Sequence, residues 1–157
     1  MITKYQTHIE LEVIPTYHQT LPVIVYGVDE KIVNQITLSR PCVLNFALDL
    51  TPGAHSIFLD FINKSDVDCI PDQGLDKFVT IGNITINKIC LPKFNWAATY
   101  RPEYPEPWYS QQMPPPQAVR QGSSQLGWNG RWQLNFDAPV FTWIHQLENM
   151  GWVWPTN

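Results

Sequence analysis

Charge is scarce in this chain: 15% of its 157 residues are Asp, Glu, Lys or Arg, and the net charge is −4. A protein that grips a nucleic-acid backbone needs a basic surface, so the balance argues against nucleic acid as a partner. Cysteine is scarce as well. Cys42, Cys69 and Cys90 are widely spaced and odd in number, with no CxxC pair and no Cys/His cluster at zinc spacing. Cys42 and Cys90 fall in apolar strand-like runs and read as small core residues, a usage that fits folding in a reducing cytoplasm. No apolar run approaches the length of a membrane span, so no membrane partner is expected. The opening "MITKYQTHIELEV" lacks the basic-then-apolar pattern of a signal peptide, and export by a leader of its own is not expected.

Helical periodicity is absent from residues 1–91, where alternation of period two takes its place. "HIELEVI" (8–14) sets Ile9, Leu11 and Val13 against His8, Glu10 and Glu12. "PVIVYGV" (22–28) and "IVNQITL" (32–38) flank the polar turn Asp29-Glu30-Lys31 and predict a hairpin. "CVLNFALDL" (42–50) carries Leu44, Phe46, Leu48 and Leu50 on one face. After the Pro-Gly turn in "TPGAH", the run "SIFLDFIN" (56–63) carries Ile57, Leu59 and Phe61. In "KFVTIGNITINKICL" (77–91) the apolar phase passes from Val79 and Ile81 to Ile84 and Ile86, which requires one extra residue near Gly82-Asn83: a β-bulge. About seven short strands without a helix among them indicate an all-β fold, an antiparallel jelly-roll-like β-sandwich.

Residues 92–157 differ in kind. The stretch 91–117 holds half of the 14 prolines, interleaved with Phe, Trp and Tyr, and reads as extended chain because proline at that density opposes helix and central strand. "RWQLNF" (131–136) alternates and predicts one strand. "DAPVFTWIHQLENMGW" (137–152) predicts a short helix capped by Asp137, stopped by Gly151, with Val140, Ile144 and Leu147 as its apolar stripe. The expected organisation is a sandwich domain over 1–91 and a Pro/aromatic-rich extension over 92–157. A chain ending near Pro92 is expected to fold alone, with the extension docking on a neighbouring protein or a second copy.

The loop "NKSDVDCIPDQGLDK" (63–77) concentrates Asp66, Asp68, Asp72 and Asp76. Three readings compete: a metal site, a catalytic carboxylate pair, and a solvated loop. An EF-hand is excluded, because counting from Asp66 puts Ile70, Pro71 and Lys77 where a ligand, the glycine and the bidentate glutamate belong. A catalytic pair needs one carboxyl in an apolar pocket, and no such pocket is legible. Carboxylates with backbone carbonyls suit a hard cation, and Gly74 permits the tight turn, which favours calcium.

In order and spacing, "HSIFLDFIN", the acidic loop and "DKFVTIGNITIN", together with the earlier hairpin "LPVIVYGVDEKIVNQITL", resemble the calcium-dependent, xylan-binding type of carbohydrate-binding module over residues 8–91. The resemblance implies that Asn63 matches the family's Asn and Asp76 the Asp of its Asp-Arg-Asn. Lys64 stands where that family has a metal-binding Asp; Lys77 replaces its Arg and Phe78 its Asn. The implied metal ligands are therefore Asn63 and Asp76, with Asp66, Asp68 or Asp72 making good the loss at Lys64.

Of the seven tryptophans none precedes residue 96. Trp96, Trp108, Tyr109 and Trp143 are the expected contacts with a glycan or a partner protein, since aromatic faces serve both purposes. The expected function is non-catalytic, carbohydrate-binding-module-like recognition of a surface polysaccharide. The expected setting is a phage virion, folded in the host cytoplasm among other structural proteins. The alternatives are a purely structural assembly protein and a polysaccharide-degrading enzyme that uses the loop aspartates.

Overall fold

The computed structural model describes residues 3–148. The chain folds into two antiparallel sheets that share one core, a β-sandwich as expected. One sheet runs β10 (Gln125–Leu126), β6 (Phe78–Ile86), β1 (Tyr5–Thr16), β4 (Cys42–Leu50), with β7 (Ile89–Cys90) also on β6. The other runs β3 (Lys31–Thr37), β2 (Val23–Val28), β5 (Gly53–Phe61), β11 (Gly130–Ala138), β8 (Thr99–Pro102), β9 (Arg120–Gln121). The alternating residues of β1, Ile9, Leu11 and Val13, are fully buried, as are Ile57, Leu59 and Phe61 of β5. Tyr26 of β2 meets Phe46 of β4 with ring centroids 5.3 Å apart, which joins the two layers.

Strand β6 bulges at the expected glycine. Leu11 faces Ile84 and Val13 faces Ile81, so Gly82 and Asn83 together oppose Glu12. A Cβ on Gly82 would lie 2.1 Å from Glu12 Oε1, and that oxygen accepts the Asn83 N–H at 3.0 Å. The bulge keeps Val79, Ile81, Ile84 and Ile86 on the core face on both sides of it.

The hairpin β2–β3 turns through Asp29 and Glu30, both at positive φ (53° and 65°), the geometry that matches strand twist in a two-residue turn. Asp29 also ties this turn to β5: Oδ1 accepts the Ser56 N–H at 2.9 Å and Oδ2 lies 2.5 Å from His55 Nδ1. His55 Nε2 faces the Thr51 carbonyl at 2.6 Å. Both ring nitrogens therefore face acceptors, which favours the doubly protonated imidazolium. Burial pulls the His55 pKa down, but the Asp29 hydrogen bond, the Thr51 carbonyl and the charges of Asp29 and Asp137 outweigh it, and the net direction is upward.

The structure corrects four expectations. The division at residue 91 has no counterpart in the packing: β11 lies between β5 and β8, and Trp132, Leu134 and Phe136 are buried in the shared core. The first turn after it is a short helix, α1 (Pro92–Ala97), because Pro92 sits at the start, where its missing N–H costs no hydrogen bond. The C-terminal helix is α2 (Val140–Leu147); Asp137 belongs to β11, and Pro139 takes the cap position. The predicted stop at Gly151, like Trp152 and Trp154, lies outside the described residues. Cys42 is half-buried at the core's edge, whereas Cys90 is exposed.

Two outcomes test this architecture. A chain ending near Pro92 leaves β5 without its β11 partner and the core without Trp132, Leu134 and Phe136, and it should show no cooperative melt and poor amide dispersion by NMR. In the full chain, Trp132→Ala should cost about 3–5 kcal/mol in urea unfolding. The His55–Asp29 contact is predicted to stabilise fully below about pH 6.5 and to fade as pH rises through the raised folded value. The melting temperature should fall by about 2–4 °C across that rise, and His55→Gln should flatten the profile.

Candidate functional site

The acidic loop separates its four aspartates into two pairs with opposite surroundings. Asp66 and Asp72 are exposed, on the short 3-10 turns Asp66–Asp68 and Pro71–Gln73. Gly74 follows in the left-handed region (φ 67°) and lets the chain double back, bridging Ile70 to Leu75. Asp68 is 2% exposed and Asp76 is half-buried. Asp68 Oδ2 accepts the Ser65 N–H at 2.8 Å, and Oδ1 accepts the Thr20 hydroxyl at 3.2 Å. Burial pushes the Asp68 carboxyl upward, yet the Ser65 N–H, the Lys77 ammonium and the two hydroxyls outweigh it and hold its pKa below the usual value.

Two lysines are buried with these carboxylates. Lys77 is 1% exposed; its Nζ donates to Thr20 Oγ1 and to the Asn63 carbonyl, each at 2.9 Å, and lies 3.5 Å from Asp68 Oδ2. The Lys64 side chain is 3% exposed; its Nζ donates to Asp76 Oδ1 at 2.6 Å and to the Gly127 carbonyl at 2.5 Å. The third direction around Lys64 Nζ is closed by the Trp128 ring, 4.5 Å to its centroid. An ammonium has three protons, and each of these has three partners.

These residues do not fit the calcium ion that the resemblance implies. Calcium takes six to eight oxygens, several of them carboxylate. Here Asp68 and Asp76 already accept from protein donors, and an ammonium stands beside each. Asn63 is used up as well: its Oδ1 accepts the Val23 N–H at 2.8 Å and its Nδ2 donates to the Leu21 carbonyl at 2.9 Å. Among the described residues no group of three or more His, Cys, Asp or Glu side chains is placed to hold a metal ion.

Beyond Lys64 the contacts continue into an aromatic wall. Trp128 packs on Trp108 (5.5 Å between centroids), Trp108 on Tyr104 (5.6 Å), and Tyr104 stacks flat on Tyr109 (5.7 Å, interplanar angle 1°). Tyr104 donates its hydroxyl to the Gln117 carbonyl at 2.8 Å, which pins the far side of the proline-rich segment to the near one. Trp128 is anchored from below, since its N–H donates to the Tyr100 hydroxyl at 2.9 Å and its carbonyl accepts from the same hydroxyl. Tyr104 and Trp128 form the supports, while Trp108 (36% exposed) and Tyr109 (41%) face solvent. A shallow recess of about 240 Å³ opens against Tyr104 and Tyr109 beside Pro102 and Ala118.

The other two predicted aromatics lie elsewhere. Trp143 stacks on Phe94 (5.4 Å, 18°) and meets Phe136 edge-on, so it seals the core beneath α2 rather than offering a contact surface. Trp96 is 62% exposed on α1, at the edge of a groove formed with Gly82, Asn83 and Asn95. The sequence reading missed Lys77 as a buried group, although a signal was there. In the period of β6, Lys77 shares parity with Val79 and Ile81, the core-facing residues.

No family model matches the chain, and no curated protein matches it. Two solved structures share the sandwich. One is the selenomethionine form of vCBM60, described in work on a circular permutation linking two families of calcium-dependent carbohydrate binding modules. It is 13% identical, with a TM-score of 0.52, over 82% of this chain and 89% of that one. The other is vCBM60 in complex with galactobiose, 15% identical, with a TM-score of 0.50, over 82% of this chain and 98% of that one. At such identity the likeness is one of fold.

The Asp68–Lys77 pair predicts an acid dependence. With the folded pKa depressed, the contribution of Asp68 is fully present above about pH 4 and is lost as pH falls through the folded value. Asp68→Asn leaves Lys77 buried without its counter-charge and should cost about 3–5 kcal/mol at pH 7. The gap between variant and parent in urea unfolding should narrow at the acid end.

Proposed function

We propose that this chain is a non-catalytic carbohydrate-binding domain that meets its ligand on the aromatic wall of Trp108 and Tyr109. The observation that carries the reading is a ladder of four rings, two of them supports and two left open to solvent, beside a recess large enough for a sugar ring. Sugar rings present apolar C–H faces, and a flat aromatic held in place stacks on them with little loss of side-chain freedom. The likeness of the sandwich to carbohydrate binding modules supports the same class of ligand. A surface polysaccharide is the proposed partner.

The enzyme reading fares worse on the chemistry. A general acid needs a carboxyl whose pKa is raised toward neutrality, and Asp68 is moved in the other direction. Asp66 and Asp72 sit in water, where nothing positions a substrate against them.

A screen of oligosaccharides, with galactobiose and xylo-oligosaccharides included, read by tryptophan fluorescence and calorimetry, tests the proposal. Binding should weaken roughly tenfold or more in Trp108→Ala. Trp96→Ala should bind as the parent does. A screen negative throughout would favour the purely structural reading, and a loss confined to Trp96→Ala would move the site to the groove beside α1.

A further inference from the structure

The acidic loop raises a question of charge balance. Buried carboxylates require a counter-charge, and in the modules that this loop resembles the expected counter-charge is calcium. Here two ammonium groups are buried in the loop's base, each among a carboxylate and main-chain or hydroxyl oxygens. Those are the donor types that a hard cation takes. Together the two ammoniums carry the same double positive charge as one calcium ion.

We propose that Lys64 and Lys77 are built-in cations that replace a bound metal, so that the loop is closed and the aromatic wall is positioned without calcium. Lys77 is the structural half of the device. It fastens Asp68, Thr20 and the Asn63 carbonyl into one knot, and the main chain of residues 63–68 is folded around it. Lys64 is the half that reaches the site. Its backbone is clamped in both directions by Asn129, whose Oδ1 accepts the Lys64 N–H at 2.7 Å and whose Nδ2 donates to the Lys64 carbonyl at 3.0 Å. From that fixed point the ammonium lies on Trp128, the ring that supports Trp108. A cation–π contact made by a desolvated ammonium is at the strong end of its range. Lys64 is thus a positioning residue for the wall.

This arrangement opposes a divalent ion. At Asp76 the ion would meet a carboxylate whose Oδ1 already accepts from the Lys64 ammonium at 2.6 Å and the Lys77 N–H at 2.7 Å, beside a fixed positive charge that repels it. To reach Asp68 it would have to break the knot around Lys77 in a site from which water is excluded. Asp66 and Asp72 stay free to meet cations from solvent, but only as isolated surface carboxylates, which bind calcium too weakly to matter.

The metal half of this inference stands without any sugar; the positioning half rests on the glycan reading above. The full chain is therefore melted in millimolar calcium and in chelator, and titrated with calcium chloride in a calorimeter. The expected result is one melting temperature in both buffers and no saturable heat. A rise in calcium that Asp76→Ala abolishes would overturn the inference. Lys77→Met should melt about 6–20 °C lower than the parent, and a variant as stable as the parent would equally overturn it. Lys64→Met should change the near-ultraviolet dichroism of the tryptophans and weaken glycan binding roughly fivefold, with Lys64→Arg restoring both. An unchanged spectrum in Lys64→Met would remove the positioning role and leave the metal arm to stand or fall alone. If no glycan binds the parent, the functional reading fails while the calcium comparison still decides the cation question.

Discussion

Strand β11 is paired along its whole length with β5 and, over its first half, with β8. Most of the second half of the molecule is placed by that pairing. Its inward residues Trp132, Leu134 and Phe136 fill the space between the layers, so the strand cannot shift by one residue without turning three large side chains into water. On its outer face Arg131 lies directly across from Asp60, bonded at 2.8 and 3.0 Å, and covers the Phe58 ring at 4.2 Å. The segment that leads into the strand, residues 127–129, is thereby held against the acidic loop. Gly127 offers its carbonyl to Lys64, Trp128 its ring and Asn129 its amide group. Loop and wall are two ends of one contact, and β11 sets the distance between them.

Much of the first sheet could be read from residues alone. Period-two alternation fixes which face of β1, β4 and β6 is buried, and the single slip in that phase marks the bulge at Gly82. The position of β11 was not legible. Its alternation marks it as a strand, but its partner β5 lies far back in the chain, and no local pattern says whether a strand ends at an edge or in the middle. The prolines misled for a related reason. Their density argues against helix and central strand on average, yet Pro92 begins a helix and Pro102 ends β8, positions where a missing N–H is harmless.

The site was half legible. Four aspartates in one loop signal charge that must be balanced, and the sequence shows two lysines at the loop's two ends. What it does not show is depth. Lysine is almost never fully buried, so Lys64 and Lys77 read as solvated unless the inward parity of Lys77 is given more weight than that expectation. Burial of an ammonium is tolerable here because each proton has an acceptor or a ring to face. The two aspartates that did not find a lysine are the two that stay in water. Desolvation thus sorts the four carboxylates, admitting only those with a partner.

The same reasoning accounts for the form of the aromatic wall. Between β8 and β9 the chain carries five prolines, each without an N–H to give to a sheet edge, so that segment does not extend the six-stranded sheet as a regular ladder. Order comes instead from ring stacking on Tyr104 and from the hydroxyl bond to Gln117. A segment ordered in that way leaves ring faces, rather than main-chain amides, at its surface. Main-chain edges select extended peptides, which add as strands. Flat rings on a fixed support select flat apolar faces, and their rigidity before binding limits the freedom lost on contact. The chemistry of the segment therefore favours a stacked ligand over an added strand, and this preference follows from the prolines as much as from the tryptophans.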